Sequence, residues 1–301
     1  MYRSFCLAGV LALSVGCDST PLVLEGEDAQ GERPAEIGLM DASDIDYSQV
    51  CSGDRLSSYG AEQVIRFTER TDDETIYSTY DRIDIIAGLF EECGDPWGMF
   101  PTTYRRITAR GLDAVANDEF IDPDWARRII VDFAGRYMDN LALAMSGKQP
   151  SWAWKHYYYL ADRDDVSRTR AVVVGMVAHL TLDLPHSLVA IDSNEDHEED
   201  FFTFGEMMIE VSDLLIDDLY FYYGAESGDL LNGFFFGDWI DGAFGEETTI
   251  TLSYQTIRTK SWNNMWLLGH WSSSWIADSE IYMAFWTIDG VLATLDATGV
   301  I

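Results

Sequence analysis

Residues 175–188 constrain the fold more than any other segment, because they form an apolar run that carries three polar side chains. His179, Asp183 and His186 stand at offsets of zero, four and seven, which lie on one stripe of a helix. If that helix is buried, the stripe costs free energy unless its members have partners. The three side chains therefore either satisfy one another and their surroundings or hold something such as a metal ion.

Helical periodicity extends over most of the chain from about Ala61 onwards. Apolar spacing predicts helices at residues 75–92, 102–116, 124–145, 152–162, 167–184, 198–222, 253–268 and 279–295. Strand-like alternation is scarce outside residues 247–252. We therefore expect an all-α, bundle-like single domain over residues 46–301, with a long Gly- and Phe-rich loop that contains a short helix at residues 224–247.

The N-terminus has the features of a bacterial export signal. Arg3 precedes an apolar run that is too short to span a membrane, and Leu13-Ser-Val-Gly-Cys17 resembles a lipoprotein lipobox. We expect a signal peptide at residues 1–16, a lipidated Cys17 and a flexible acidic tether at residues 17–45. The protein would then be anchored in the bacterial cell envelope, on the periplasmic or outer surface. Ordinary secretion with cleavage nearby is the alternative.

The charge balance excludes some partners. The chain has 52 Asp and Glu against 19 Lys and Arg, and a net charge of −33. Such a surface repels nucleic acids and anionic lipids at ordinary salt concentrations. We therefore expect no nucleic-acid partner, and membrane attachment only through the lipid anchor.

Two cysteines remain for the folded domain, because Cys6 lies in the signal peptide and Cys17 is the expected lipid carrier. In an oxidising exported compartment, Cys51 and Cys93 are expected to form a disulfide. Two unpaired thiols are the alternative.

A His and a carboxylate one helical turn apart form a two-point site for a divalent ion such as zinc. In this interpretation His179 and Asp183 bind the ion and His186 supplies a third ligand. Pro185 is expected to bend or end the helix near Leu184, so that His186 projects from the following turn. The alternative is a structural hydrogen bond between His179 and Asp183 that ties two helices together.

A second polar run, His197-Glu-Glu-Asp200, follows at a predicted helix start. It would bring His197 as a further metal ligand and Glu198 or Asp200 as an acid–base group. A solvated first turn favoured by the helix dipole is the other interpretation of this run. The chain has no Gly-x-Ser-x-Gly elbow, Walker A loop or dinucleotide-binding Gly-x-Gly-x-x-Gly motif, which argues against serine hydrolase, ATP and nicotinamide chemistry.

The segment Gly175-Met-Val-Ala-His179, followed by Asp183-Leu-Pro185, resembles the hallmark of a bacterial family known as DUF5995. The resemblance covers about residues 75–270 and includes Phe133, Tyr137, Arg258 and Trp262. It implies a mostly helical domain and no assigned reaction. A more distant likeness, through His179-x-x-x-Asp183 and His186, is to the zinc-dependent phospholipase C and P1-nuclease group.

Two classes of function follow from these patterns. The first is a lipid-anchored, metal-dependent hydrolase of phosphoester or lipid-like substrates, in which His179, Asp183 and His186 hold a zinc-like ion that activates water. The second is a non-catalytic envelope lipoprotein that binds an apolar small molecule, a lipid or a protein partner. Metal-free acid–base chemistry is a third, weaker alternative.

Overall fold

The computed structural model describes residues 42–71, 73–236 and 254–301. These residues belong to one unit, Ala35–Ile301. The predicted signal peptide, Cys17 and most of the predicted tether lie outside the described residues, as does the second part of the predicted Gly- and Phe-rich loop, residues 237–247.

The prediction of an all-α domain is confirmed for the described residues, which contain no strand. The α-helices are α1 (Ser58–Thr68), α2 (Ile76–Cys93), α3 (Met99–Ala116), α4 (Pro123–Met145), α5 (Trp152–Ala161), α6 (Arg168–Ala178), α7 (Leu184–Ala190), α8 (Glu198–Glu210), α9 (Ser212–Tyr223), α10 (Gly228–Phe236), α11 (Tyr254–Leu268) and α12 (Ser274–Ala297). Short 3₁₀ turns lie at Tyr47–Gln49, Pro96–Gly98 and Glu195–His197.

Local signals account for several helix ends. Asp122 caps α4 by accepting a hydrogen bond from the N–H of Trp125, and Pro123 occupies the first turn, where no intrahelical N–H bond is lost. Gly147 follows α4 with a φ of 68°, a left-handed conformation that glycine adopts without strain. The predicted helix at residues 198–222 is instead two helices, which meet at Val211.

The N-terminal part of the domain is fastened covalently. Cys51 and Cys93 form a disulfide, with their Cα atoms 5.3 Å apart, which confirms the predicted pairing. The bond joins the segment before α1 to the C-terminal end of α2.

The segment Arg168–Ala190 forms the central helix of the fold. It contains α6, a π turn and α7, and it is long and apolar enough to cross a membrane. However, 83% of its most apolar stretch is buried inside the protein, so the surrounding helices take the place of lipid as its apolar environment. The large buried side chains of the same hydrophobic core include Trp125, Trp154, Tyr137 and Tyr157.

Candidate functional site

A π turn at His179–Asp183 interrupts the central helix. Its N–H to carbonyl bond runs from Leu184 back to His179, five residues earlier. In an unbroken α-helix, the ring of Pro185 would meet the carbonyl of Thr181. The wider turn accommodates this proline, so the helix continues to Ala190, and the bend or end expected near Leu184 is instead a local widening of the helix.

The carbonyl groups of the π turn find partners outside the helix ladder. Pro185 has no N–H to donate to Leu180, and the hydroxyl of Ser261 on α11 donates to that carbonyl at 2.6 Å. One turn later, His186 Nδ1 donates to the carbonyl of Leu182 at 2.7 Å. The side chain of Ser261 therefore replaces the backbone donor that Pro185 cannot supply to Leu180.

His186 is not part of the site that the sequence predicted. The π turn adds one residue to the helix, which rotates every later position by about 100° relative to a regular α-helix. His179 and Asp183 stay adjacent within the turn, whereas His186 leaves their stripe and bonds to the backbone. The expected three-residue stripe is thereby corrected to a pair.

His179 and Asp183 form a buried hydrogen-bonded pair. His179 Nδ1 lies 2.9 Å from Asp183 Oδ2, and the indole Nε1 of Trp154 on α5 donates to the same oxygen at 2.8 Å. His179 is 3% exposed and Asp183 is 4% exposed. Because a carboxylate only accepts hydrogen bonds, Nδ1 carries the proton and Nε2 of the neutral ring presents a lone pair.

Burial lowers the pKa of His179, and the hydrogen bond and negative charge of Asp183 only partly oppose this effect. The ring is therefore neutral at pH 7, and the contact with Asp183 is a hydrogen bond to a carboxylate instead of an ion pair. Aromatic rings hold the imidazole in place. Phe133 stacks on it with ring centroids 3.5 Å apart, and Tyr104 and Phe100 meet it edge-on at 4.8 and 5.2 Å.

His179 Nε2 is buried and has no hydrogen-bond partner. Its side chain lines an almost wholly apolar cavity of about 30 Å³. The other lining residues come from α3, α4, the central helix, α8 and α11: Phe100, Thr103, Tyr104, Ile107, Phe133, Met176, Leu180, Leu184, Phe204, Met208, Tyr254 and Arg258. A buried imidazole nitrogen without a partner is uncommon, and it can accept a hydrogen bond or a proton from a molecule in this cavity.

Arg258 and Trp154 are site residues that the sequence analysis did not identify. Arg258 was included only as part of the family resemblance, and Trp154 only lay within the predicted helix at residues 152–162. A signal for Arg258 exists, since it lies on the same helical stripe as Tyr254 and Ser261, both of which are buried. A charged residue on an apolar stripe indicates a buried charge.

The structure places the second polar run away from the cavity. His197 stacks on Trp125, accepts a hydrogen bond from the N–H of Asn194, and has Nε2 3.4 Å from Asp122. Asp200 is 1% exposed, and its two carboxylate oxygens accept hydrogen bonds from the N–H groups of Ile121 and Asp122, each at 2.7 Å.

These contacts correct the expected roles of this run. His197 and Asp200 hold the start of α4 against the start of α8, and Glu198 lies exposed at the first position of α8. None of the three lines the cavity beside His179.

The four expected metal ligands are not assembled. His186 and His197 bond to other partners, and the described residues contain no group of three or more His, Cys, Asp or Glu side chains that could hold a metal ion. Protein-bound zinc takes three or four protein ligands. Within the described part of the chain, the residues around His179 therefore do not fit a zinc site.

A larger cavity of about 220 Å³ lies on the other side of the π turn, between α11 and α12. Thr181 of the π turn lines it, together with Asn264, whose buried Oδ1 has no hydrogen-bond partner. Neither His179 nor Asp183 reaches this cavity. Its size exceeds that of the cavity beside His179, but it lacks the His–Asp pair that distinguishes the smaller one.

Comparison with known proteins identifies one similarity. A family model described as "Family of unknown function (DUF5995)" matches residues 76–279. No curated protein and no solved structure matches the chain. The matched range contains the π turn and every residue that lines the cavity beside His179.

Proposed function

Because the chain belongs to the DUF5995 family, whose function is unknown, we propose from its own residues that it is an exported, lipid-anchored protein that binds a small, largely apolar ligand. The polar end of the ligand would occupy the cavity beside His179. The non-catalytic alternative from the sequence analysis is thus the one that we favour.

The observation that carries this proposal is the buried, unpartnered Nε2 of His179 in an apolar cavity. Asp183 and Trp154 orient the ring on its other side, so Nε2 has a defined direction without a ligand. Ligand sites in proteins typically combine apolar walls with a few convergent polar groups. A group with an O–H or N–H donor would satisfy Nε2 and remove the cost of leaving it unpaired.

The size of the cavity limits what enters it. A volume of about 30 Å³ holds one or two water molecules or a small functional group. Among the lining residues, Phe204 of α8 is the one that is not buried, and it marks the side on which the cavity approaches the surface. In our proposal, an apolar tail leaves the cavity beside Phe204 while the polar end stays at His179.

The anchor rests on the sequence around Cys17. Release of the full-length protein with its N-terminal modification intact, followed by mass spectrometry of the N-terminal peptide, tests it directly. We expect a diacylglyceryl group on Cys17 and no residue before it. An unmodified cysteine, or cleavage at another position, would contradict this part of the proposal.

Binding itself can be tested with a neutral probe. We expect hexanol to bind the purified full chain in isothermal titration calorimetry, and Ile107→Phe, which fills the cavity wall, to weaken binding about tenfold or more. Ile85→Phe is the matched control, because Ile85 packs against the core without lining the cavity. Equal loss in both variants, or no binding by the wild type, would refute the site.

The metal-dependent hydrolase expected from the sequence lacks a complete ligand set among the described residues, and only the His179–Asp183 pair, with its free Nε2, resembles an arrangement that orients metal-binding histidines. Elemental analysis of protein purified without chelator or affinity tag tests it. Stoichiometric zinc that disappears in His179→Ala and Asp183→Ala would favour the hydrolase over the binding protein. Under our proposal, no stoichiometric metal depends on these two residues.

A further inference from the structure

The connection between α11 and α12 carries exposed tryptophan side chains. Trp266 lies in the last turn of α11, Trp271 in the connection and Trp275 in the first turn of α12. Their exposed fractions are 39%, 92% and 65%. Because the two helices pack against each other and the connection is short, the three rings lie at one end of this helix pair. We call residues 266–275 the hairpin tip.

The hairpin tip differs in charge from the rest of the chain. It lies within residues 261–277, the longest stretch of the sequence without an Asp, Glu, Lys or Arg. The chain as a whole has a net charge of −33, which repels an anionic lipid surface. The expectation of membrane contact only through the lipid anchor rests on this average charge. The tip departs from the average, so a bilayer repels the tip less than the acidic remainder of the surface.

Local hydrogen bonds hold the turn of the hairpin tip. The N–H of Ser273 donates to the carbonyl of His270 at 3.0 Å, and the hydroxyl of Ser273 donates to the carbonyl of Leu267 at 2.9 Å. The indole Nε1 of Trp275 donates to the carbonyl of Ser272 at 3.2 Å. The tryptophans are therefore presented on a formed turn, which lowers the entropy cost of binding a partner.

We propose that the hairpin tip enters the headgroup region of the bilayer that holds the lipid on Cys17. The partner of this surface is thus a phospholipid membrane. An indole ring combines an apolar body with one N–H donor, and tryptophan is accordingly enriched where a membrane meets water. The inference rests on the proposed lipid anchor and goes beyond it, because it adds a second contact between the protein and the membrane.

The anchor makes a weak contact sufficient. Residues 18–41 separate Cys17 from the first described residue, and a chain of this length spans at most about 80 Å when fully extended. The tether therefore keeps the domain close to the bilayer and raises the effective concentration of the tip at its surface. Insertion of the tryptophan rings then has to orient the domain and does not have to attach it.

Charged side chains limit how deep the tip can lie. Asp278 is exposed and follows Trp275 by three residues, which is about 4.5 Å along the axis of α12. Lys260 is exposed on α11, about 9 Å before Trp266. An ionised carboxylate in the hydrocarbon region is costly. The tip therefore inserts end-on and shallowly, and Trp286, about 16 Å beyond Trp275 along α12, stays outside the bilayer.

Shape and charge favour a bilayer over other partners. Sites for small molecules are concave, whereas Trp271 is too exposed for neighbouring groups to enclose it. A basic protein would be attracted by carboxylates, of which residues 261–277 have none. A second copy of this chain is the other occupant, and fluorescence in lipid vesicles distinguishes the two.

Tryptophan fluorescence tests the inference on the full-length lipidated protein. The protein is reconstituted into phosphatidylcholine vesicles, with or without bromine on the acyl chains close to the headgroups, and flotation establishes that it is retained. Bromine quenches an indole only when the two come close together. We expect lower emission in the brominated vesicles than in the unbrominated ones.

Two variants locate the contact. The double variant Trp271→Ser and Trp275→Ser should be retained on the vesicles by its anchor and should lose most of the quenching. Trp286→Phe is the matched control, because this ring is also exposed on α12 but lies beyond the expected depth, and its quenching should equal that of the wild type. Urea unfolding of the double variant should match the wild type, because both replaced rings are mostly exposed.

Retention on the vesicles without quenching would overturn the inference and leave the lipid anchor standing. Quenching that Trp286→Phe loses equally would show that α12 lies flat on the bilayer, and would overturn the end-on contact. A dimer in analytical ultracentrifugation that only the double variant loses, without quenching of the wild type, would assign the tip to a second copy and overturn the inference. Without retention, the proposed anchor fails, and the inference fails with it.

The charge of the lipid gives a further test. Replacing part of the phosphatidylcholine by phosphatidylglycerol should weaken the quenching at low salt, because the acidic surface around the tip is repelled, and added salt should restore it. Stronger quenching with the anionic lipid would mean that cationic groups make the contact, and would overturn the inference.

Discussion

The pair of hydrogen bonds that converge on Asp183 gives the most direct stability prediction. Oδ2 of Asp183 accepts from His179 Nδ1 at 2.9 Å and from Trp154 Nε1 at 2.8 Å, and both donors are buried. Asp183→Ala removes the acceptor and leaves two donors unsatisfied. A change of tautomer does not help His179, because its proton would then lie on Nε2 in the apolar cavity.

The magnitude follows from the cost of unpaired donors. Each buried donor without an acceptor costs about 1–3 kcal/mol. Removal of the carboxylate also removes the cost of burying its charge, which offsets part of the cost of the two unpaired donors. We expect Asp183→Ala to lower the free energy of unfolding by about 3 kcal/mol. Trp154→Phe removes one donor and leaves the bond from His179, so it should cost about 1 kcal/mol less than Asp183→Ala.

Urea denaturation followed by far-ultraviolet circular dichroism measures both variants, since the folded chain is helical. Asp164→Ala is the control, because Asp164 lies exposed in a turn and such changes usually stay within about 0.5 kcal/mol. If Asp183→Ala cost less than about 1 kcal/mol, or less than Trp154→Phe, then Asp183 would not be the acceptor that holds these helices together.

Three further predictions concern the pH response, the π turn and the disulfide. Burial lowers the pKa of His179 from 6.5, so the stability that the neutral ring contributes is complete above pH 6.5 and is lost as the pH falls towards the folded-state pKa, by at most about 1.4 kcal/mol per pH unit. In urea unfolding, His179→Gln should lack this part of the acid dependence. The same acid dependence in His179→Gln as in the wild type would contradict this prediction. Ser261→Ala leaves the carbonyl of Leu180 unpaired and should cost about 1–3 kcal/mol in the same assay, whereas a cost near zero would mean that another group, such as water, satisfies this carbonyl. Replacing Cys51 and Cys93 together by Ala removes a cross-link between residues 42 positions apart and should lower the free energy of unfolding by about 4 kcal/mol in the chain-entropy model. An unchanged free energy of unfolding would contradict the prediction and would mean that the unfolded chain is already compact without the cross-link.

Much of the fold was predictable because its signals are local. Apolar spacing of about 3.6 residues predicted most of the helices, and Asp122-Pro123 and Gly147 marked the ends of α4. The disulfide was predictable by elimination, because only two cysteines remain in the folded domain. Helix lengths were less predictable, since the break at Val211 has no proline or glycine to announce it.

The π turn shows where local reasoning stops. Pro185 is a reliable sign that an α-helix cannot continue unchanged, but it does not say whether the helix ends, bends or widens. Here Ser261, which follows Pro185 by 76 positions in the sequence, donates a hydrogen bond to the carbonyl of Leu180, which Pro185 cannot do. This bond stabilises the wider turn. The extra residue then moves His186 away from His179, which no helical spacing could indicate.

The sequence by itself determined the helical class, left Cys51 and Cys93 as the expected disulfide partners and placed His179 and Asp183 one helical turn apart, because each depends on neighbours along the chain or on composition. Tertiary structure alone decided that Trp154 also donates a hydrogen bond to Asp183, that Nε2 of His179 lacks a hydrogen-bond partner, and that Arg258 lines the cavity beside His179. These features depend on which helix faces which. The packing of side chains across α5, α11 and the central helix determines that choice, and many compatible apolar faces give the same pattern in the sequence.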